Sequence, residues 1–202
     1  NEIEKNVELT RSFYLGEQEI SNRSFKQFDP GHDSGLLGRA LLSEDDRPVV
    51  NVSWEEAVRF SNWLSEKDGL PAAYALKDGQ WHLRSPATIG YRLPTEAEWA
   101  WAARYASGKL PTRFPWGDNM PPTAGSGNYA DVSAANMVPY SIKGYNDNFR
   151  GPAPSGTYAS NELGIFDLAG NVSEWINDYY SVELHRKTLV EPLGPIQGDY
   201  YV

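Results

Sequence analysis

Apolar positions change their spacing several times along this chain, and each change marks an element. Val7, Leu9, Phe13, Leu15 and Ile20 recur at near-alternate positions around Gly16, which predicts two short strands. Phe25 and Phe28, three apart, predict the start of a helix from Asn22. Residues 29–48 lose any period and carry turn chemistry in Asp29-Pro-Gly-His-Asp-Ser-Gly35 and Asp45-Asp-Arg-Pro48. Val49 to Val52 reads as a short strand. Ser53-Trp-Glu-Glu56 then fits a capping box, in which Ser53 accepts from the Glu56 amide and the Glu56 carboxylate reaches back. Ala57, Phe60, Trp63 and Leu64 continue that helix on one face, and Gly69-Leu-Pro71 stops it.

Tyr74 to Leu83 predicts a hairpin across Lys77-Asp-Gly79. In Tyr91-Arg-Leu-Pro-Thr-Glu-Ala-Glu-Trp99 a second box follows, with Pro94 ahead of it, Thr95 as cap and Glu98 closing it. This helix carries Trp99, Ala102 and Ala103 and is expected to end near Gly108. From Pro111 to Pro154 the chain is polar, rich in Gly, Asn and Pro, and almost without period. A structureless stretch of that length inside a compact domain needs something to hold it, and a bound cation would suffice.

The 202 residues suit one domain, or at most two, with about 70% of the unfolded surface buried on folding. A net charge of −9 argues against a nucleic-acid groove and against an anionic membrane surface. No apolar run is long enough to span a bilayer, and Asn1-Glu-Ile-Glu-Lys does not read as a signal peptide. The absence of cysteine excludes disulfides and thiolate metal sites within these residues. His32, His82 and His185 stand apart without metal-ligand spacing, so an iron site could assemble only in space. Asn22, Asn51 and Asn171 each begin a glycosylation sequon, but Asn51 and Asn171 are expected to be packed.

One stretch carries candidate chemistry. Asn161-Glu-Leu-Gly-Ile-Phe-Asp-Leu-Ala-Gly-Asn-Val-Ser-Glu-Trp175 places Asp167, Gly170, Val172 and Glu174 within eight residues, interrupted by a glycine. Carboxylates and free carbonyls on one tight turn are a donor set for Ca2+.

Several segments occur together in a set order. They are Gly16-Glu-Gln-Glu-Ile-Ser-Asn22, Pro48-Val-Val-Asn-Val-Ser-Trp-Glu-Glu-Ala57, Arg92-Leu-Pro-Thr-Glu-Ala-Glu-Trp99, Phe114-Pro-Trp-Gly117, Gly127-Asn-Tyr129 and Gly164 to Trp175. On these the chain resembles the formylglycine-generating enzyme, or sulfatase-modifying factor, family. The resemblance implies an α+β, C-type-lectin-like fold with little regular structure, two or three helices and a small antiparallel sheet. It implies a single domain over 1–202, without the family's C-terminal segment and part of its first strand.

The resemblance also implies two structural Ca2+ sites. One would use the Asn128 side chain, the Tyr129 carbonyl, the Asp147 carboxylate and the Phe149 carbonyl. The other would use Asp167, the carbonyls of Gly170 and Val172, and Glu174. The family's copper-binding cysteine pair is missing, which disfavours copper here. Loss of the pair and its placement beyond Val202 both remain open. Two functions follow. One is a calcium-stabilised binding or structural module, or a non-copper relative, with a peptide or protein ligand. The other is an oxidoreductase of the formylglycine-generating type. The aromatic loops Phe114-Pro-Trp116 and Tyr140 to Tyr145 would line a groove in the first, or simply close the core. Calcium leans the expected address toward an exported or periplasmic one.

Overall fold

A computed structural model describes residues 6–84, 87–104, 112–181, 188–195, 198 and 200–202. The elements run β1 (Val7–Glu8), α1 (Asn22–Phe25), β2 (Leu36–Leu37), β3 (Ala40–Leu41), α2 (Trp54–Lys67), β4 (Tyr74–Lys77), β5 (Gln80–Leu83), α3 (Glu96–Arg104) and β6 (Leu189–Val190). The expected α+β class with sparse regular structure is what folds. Antiparallel pairing joins β4 to β5 and β2 to β3, while β1 pairs with β6 in parallel. The chain groups into two compact units: Asn1–Tyr14, Val52–Trp99 and Glu174–Val202 form one, Leu15–Asn51 and Ala100–Ser173 the other.

The first unit is organised on α2. Ser53 accepts from the Glu56 amide while the Glu56 carboxylate takes the Ser53 amide at 2.8 Å, so the capping box forms as expected. Its apolar face buries Trp54 and Val58 against Ala73 and Tyr74. The Trp54 ring stacks on Tyr201 at 3.6 Å, and its indole N–H donates to the Ile176 carbonyl at 2.9 Å. Aromatic bulk thus fills the core while each polar handle finds an acceptor. The expected hairpin is β4–β5, with Lys77 facing Gln80 across Asp78–Gly79.

The second box forms as well. Glu98 donates its amide to Thr95 Oγ1 at 3.2 Å, and its carboxylate accepts the Thr95 amide at 2.9 Å. The same carboxylate is held by both prongs of Arg92, each at 2.7 Å. Glu98 is therefore a buried ion-pair partner as well as a helix-start residue.

In the second unit Asn22 is the spindle. It is 0% exposed, and its amide donates to the carbonyls of Leu42 and Glu44 at 2.8 and 3.0 Å. Its oxygen accepts from Ser34 Oγ at 2.6 Å. So enclosed, Asn22 offers no nitrogen to a glycosyl donor in the folded state. Asn51, expected to be packed, is exposed.

The expectation differs from the structure in two further places. Only β1 survives of the two strands expected over 7–20, because its partner β6 lies far along the chain. Val49 to Val52 makes no ladder, since Asn51 turns the backbone to φ 59°. The segment keeps one backbone–backbone bond, from the Val49 amide to the Ile20 carbonyl at 2.8 Å, and a bridge follows between Ser21 and Pro48. The expected helix end near Gly108, and His185, lie outside the described residues. Among the described residues no helix is long and apolar enough to cross a membrane.

Candidate metal centre

Four expected ligands, Asn128, Tyr129, Asp147 and Phe149, meet in the second unit. Two irregular segments are laced together there without a sheet. Asp147 Oδ2 accepts the Tyr129 amide at 2.8 Å, and Oδ1 accepts the Phe149 amide at 2.8 Å. Asp131, which the sequence reading passed over, is 0% exposed and completes the lacing. Its Oδ1 accepts the Ser133 amide at 2.7 Å in an Asx turn, and its Oδ2 accepts the Asp147 amide. The Asp-x-Ser spacing was the local signal for this turn.

Ser133 shows what these contacts add up to. Its hydroxyl lies 2.6 Å from Asp131 Oδ1, 3.4 Å from Asp147 Oδ1, and closer still to the Phe149 carbonyl. A hydroxyl carries one proton, so it can satisfy one of three acceptors. The Ser133 and Phe149 amides already serve Asp131 Oδ1 and Asp147 Oδ1, which leaves the hydroxyl proton for the Phe149 carbonyl. Among the described residues neither Asp131 nor Asp147 is in an ion pair. Burial raises the Asp147 carboxyl above its ordinary range, the Asp131 charge adds to the rise, and the Tyr129 and Phe149 amides only partly offset it. Burial also acts upward on Asp131, but its bonds from Ser133 and from the Asp147 amide hold it below the usual range. Two buried carboxylates without a cationic partner, beside free carbonyls, have the chemistry of a hard-cation site, and the residues fit Ca2+.

Asp167, Gly170 and Val172 lie in the same unit. Asp167, Gly170 and Asn171 all have positive φ, at 59°, 144° and 61°. Three positive values within five residues turn the segment sharply. Gly170 is obligatory there: an added Cβ would fall 2.4 Å from the Asn128 carbonyl oxygen. Asp167 Oδ2 accepts the Gly156 amide at 2.6 Å, and burial raises its carboxyl above the ordinary range. Glu174, the fourth expected ligand, belongs to the first unit, where it accepts from the Trp99 indole N–H. Among the described residues no three His, Cys, Asp or Glu side chains converge on a metal-sized space. The expected sets contain at most two carboxylates each and rely on carbonyls.

Asn171 ties the two expected sites together. Its amide N–H donates to the Asn128 carbonyl at 2.9 Å, and its side-chain oxygen accepts from Asn128 Nδ2 at 2.9 Å. Its Nδ2 reaches Glu19 Oε2 at 2.7 Å. With Asn128 Nδ2 spent on Asn171 and on the Gly151 carbonyl at 2.8 Å, the amide oxygen of Asn128 faces away from both. The loop aromatics mostly close over this region. Phe114 and Trp116 stack at 4.7 Å, Trp116 meets Tyr129 at 4.8 Å, and the buried Tyr145 donates to the Gly127 carbonyl at 2.6 Å. Tyr140 instead stands 88% exposed.

Short strands, capped helices and loop-borne oxygen clusters define an α+β fold whose irregular backbone carries the candidate chemistry. The chain belongs to the sulfatase-modifying factor family: residues 2–202 match the family described as "Sulfatase-modifying factor enzyme 1-like domain". It is 32% identical over 165 residues to a formylglycine-generating enzyme of Thermomonospora curvata, a match covering 80% of this chain and 44% of that protein. It is 28% identical over 193 residues to "Chaperone protein LppX" of Paenibacillus barcinonensis, covering 88% of this chain and 66% of the other. Of solved structures, Treponema denticola variable protein 1 superposes with a TM-score of 0.72 at 23% identity, over 91% of this chain and 68% of that one, a likeness of fold alone. The chain therefore spans less than half the length of the formylglycine-generating enzyme it matches.

Proposed function

We propose that this chain is a calcium-stabilised member of the family that works without copper, as a binding or structural module for a peptide or protein partner. The carrying observation is the pair of buried carboxylates, Asp131 and Asp147, gathered with the Phe149 carbonyl around the Ser133 hydroxyl with no cationic side chain paired to either among the described residues. A Ca2+ ion would supply the missing positive charge. Asn128 Oδ1, the Tyr129 and Phe149 carbonyls and Asp147 would hold one ion, with Asp131 as a neighbouring charge. Asp167 and the Gly170 and Val172 carbonyls would contribute to a second. The ion's role in this reading is to join loops that the sequence leaves without a ladder. No thiolate is available within these 202 residues to bind a soft metal such as Cu(I). That one related protein is named a chaperone and another a formylglycine-generating enzyme fits a scaffold that serves more than one task.

The test is a melt followed after chelation and after Ca2+ addition. EDTA is expected to lower the midpoint, and Ca2+ in excess to restore it, by ligand linkage to the folded state. Asp147→Asn should blunt the response at the first site and Asp167→Asn at the second. A midpoint indifferent to chelator and to Ca2+ overturns the reading.

A second reading has its own support in the 32% identity to a formylglycine-generating enzyme. In it the domain belongs to an oxidoreductase whose thiolates are supplied from outside residues 1–202. Assaying the full-length protein for oxidation of a cysteine-containing sulfatase peptide separates the two readings. Turnover favours the enzyme, and its absence in a calcium-loaded, folded sample favours the module.

A further inference from the structure

A cavity of about 510 Å³ opens in the second unit between the β2–β3 hairpin and the segments around residues 136 and 150. That volume falls within the range of about 300–1,000 Å³ usual for small-ligand sites. Its wall is apolar where Leu37, Leu42 and Phe149 line it, and cationic where Arg39, Arg47 and Arg150 do. No carboxylate is among the lining residues. This runs against the chain as a whole, in which 27 acidic residues outnumber 18 basic ones. Arg47 is offset by Glu44, so Arg39 and Arg150 carry the cavity's excess of positive charge within a chain that is negative as a whole.

The arginines differ in how they are held. Arg47 is fixed as wall: its Nε bonds Glu44 at 2.5 Å, and its Nη1 donates to the Pro152 carbonyl. Arg150 is oriented by one bond, from Nε to the Ser133 carbonyl at 3.3 Å, which leaves its two terminal nitrogens for another acceptor. Arg39 is exposed on the β2–β3 turn, and among the described residues neither it nor Arg150 is in an ion pair. The apolar wall is built in as well. Gly151 lets the Leu37 side chain seat against the backbone, since a Cβ there would lie 2.5 Å from Leu37 Cδ2.

We infer that this cavity binds an amphipathic carboxylate, with the acid group gripped by Arg39 and Arg150 and the apolar body laid against Leu37, Leu42 and Phe149. Planar guanidinium forks match carboxylate oxygens two at a time, and the apolar wall rejects a small hydrated anion. The acid could arrive as a free alkyl carboxylate or on an acidic side chain of an apolar peptide, and the chemistry is the same for both.

Isothermal titration of the full chain at low salt tests this with sodium octanoate and, in a parallel arm, with N-acetyl-leucyl-glutamate amide. One saturable site is expected for at least one probe, and the tighter probe names the source. Arg39→Gln, at an exposed turn position, should weaken binding by about tenfold, as should Arg150→Gln. Each variant is checked for an unchanged melt, so that lost binding is not lost folding. Octylamine, with the same apolar body and opposite charge, should not compete. Absence of saturable binding by both probes, undiminished binding in both variants, or equal binding of octylamine overturns the proposal.

Discussion

At the scale of single residues, stability rests on a few polar side chains that each do several jobs. Asn171 bonds Asn128, Ala153 and Glu19 from a left-handed backbone position. Alanine would lose every side-chain bond and also disfavour that conformation, so Asn171→Ala should cost about 2–4 kcal/mol, read from urea midpoints. Glu98 allows a sharper test through pH. Burial pushes its carboxyl up, but the Arg92 fork and the Thr95 amide more than offset this and hold it below the ordinary range. A depressed folded value means the unfolded chain takes up the proton first. The stabilisation is then fully present at neutral pH and is lost as pH falls through and below the usual glutamate range. Glu98→Gln should be less stable than the parent by about 2 kcal/mol at neutral pH, and the gap should close as pH drops from about 6 to about 3. A gap that stays constant would mean that packing, not the ion pair, sets the difference. These residues were unevenly legible. Thr95 and Glu98 could be paired from their spacing alone, whereas the Arg92 fork on Glu98 could not. Asp131 escaped notice because an Asp-x-Ser turn is common, and only burial distinguishes this one.

At the scale of elements, whatever is decided within about ten residues could be read, and whatever needs a distant partner could not. The Ser53–Glu56 box and the β4–β5 hairpin are local, and both form where expected. The β1–β6 pair joins residues 7–8 to 189–190, and nothing in either dipeptide announces the other. Val49 to Val52 has the right composition for a strand, but positive φ at Asn51 and the lack of a paired neighbour deny it a ladder. The α2 cap gives a prediction at this scale. Ser53→Ala removes the hydroxyl that accepts from the Glu56 amide at 3.2 Å and should destabilise the chain by about 1 kcal/mol. Ser53→Asp, which keeps an acceptor, should recover most of that loss. If both variants melt alike, α2 is held by the Trp54 and Val58 packing and owes little to its cap.

At the scale of the molecule, the long irregular stretch over residues 112–173 makes one physical demand: backbone without a ladder must be held by side chains, by an ion, or by both. Within the second unit the two proposals share a residue. The Phe149 carbonyl belongs to the oxygen cluster around Ser133, and Phe149 also lines the cavity with its neighbour Arg150. An ion that fixed this carbonyl would fix the stretch from Asp147 to Gly151 and so set the cavity wall before a ligand arrives. Octanoate affinity should therefore rise when Ca2+ is added to chelated protein, by about fivefold or more if the coupling is of ordinary size. Linkage then requires octanoate to tighten Ca2+ binding by the same factor, which a calcium titration with and without octanoate can check. Asp147→Asn should abolish the coupling in both directions while leaving Arg39 and Arg150 in place. If calcium-free and calcium-loaded protein bind octanoate equally, the stretch is already ordered by the Asp131 and Ser133 bonds alone, and the ion's contribution to stability lies elsewhere in the unit.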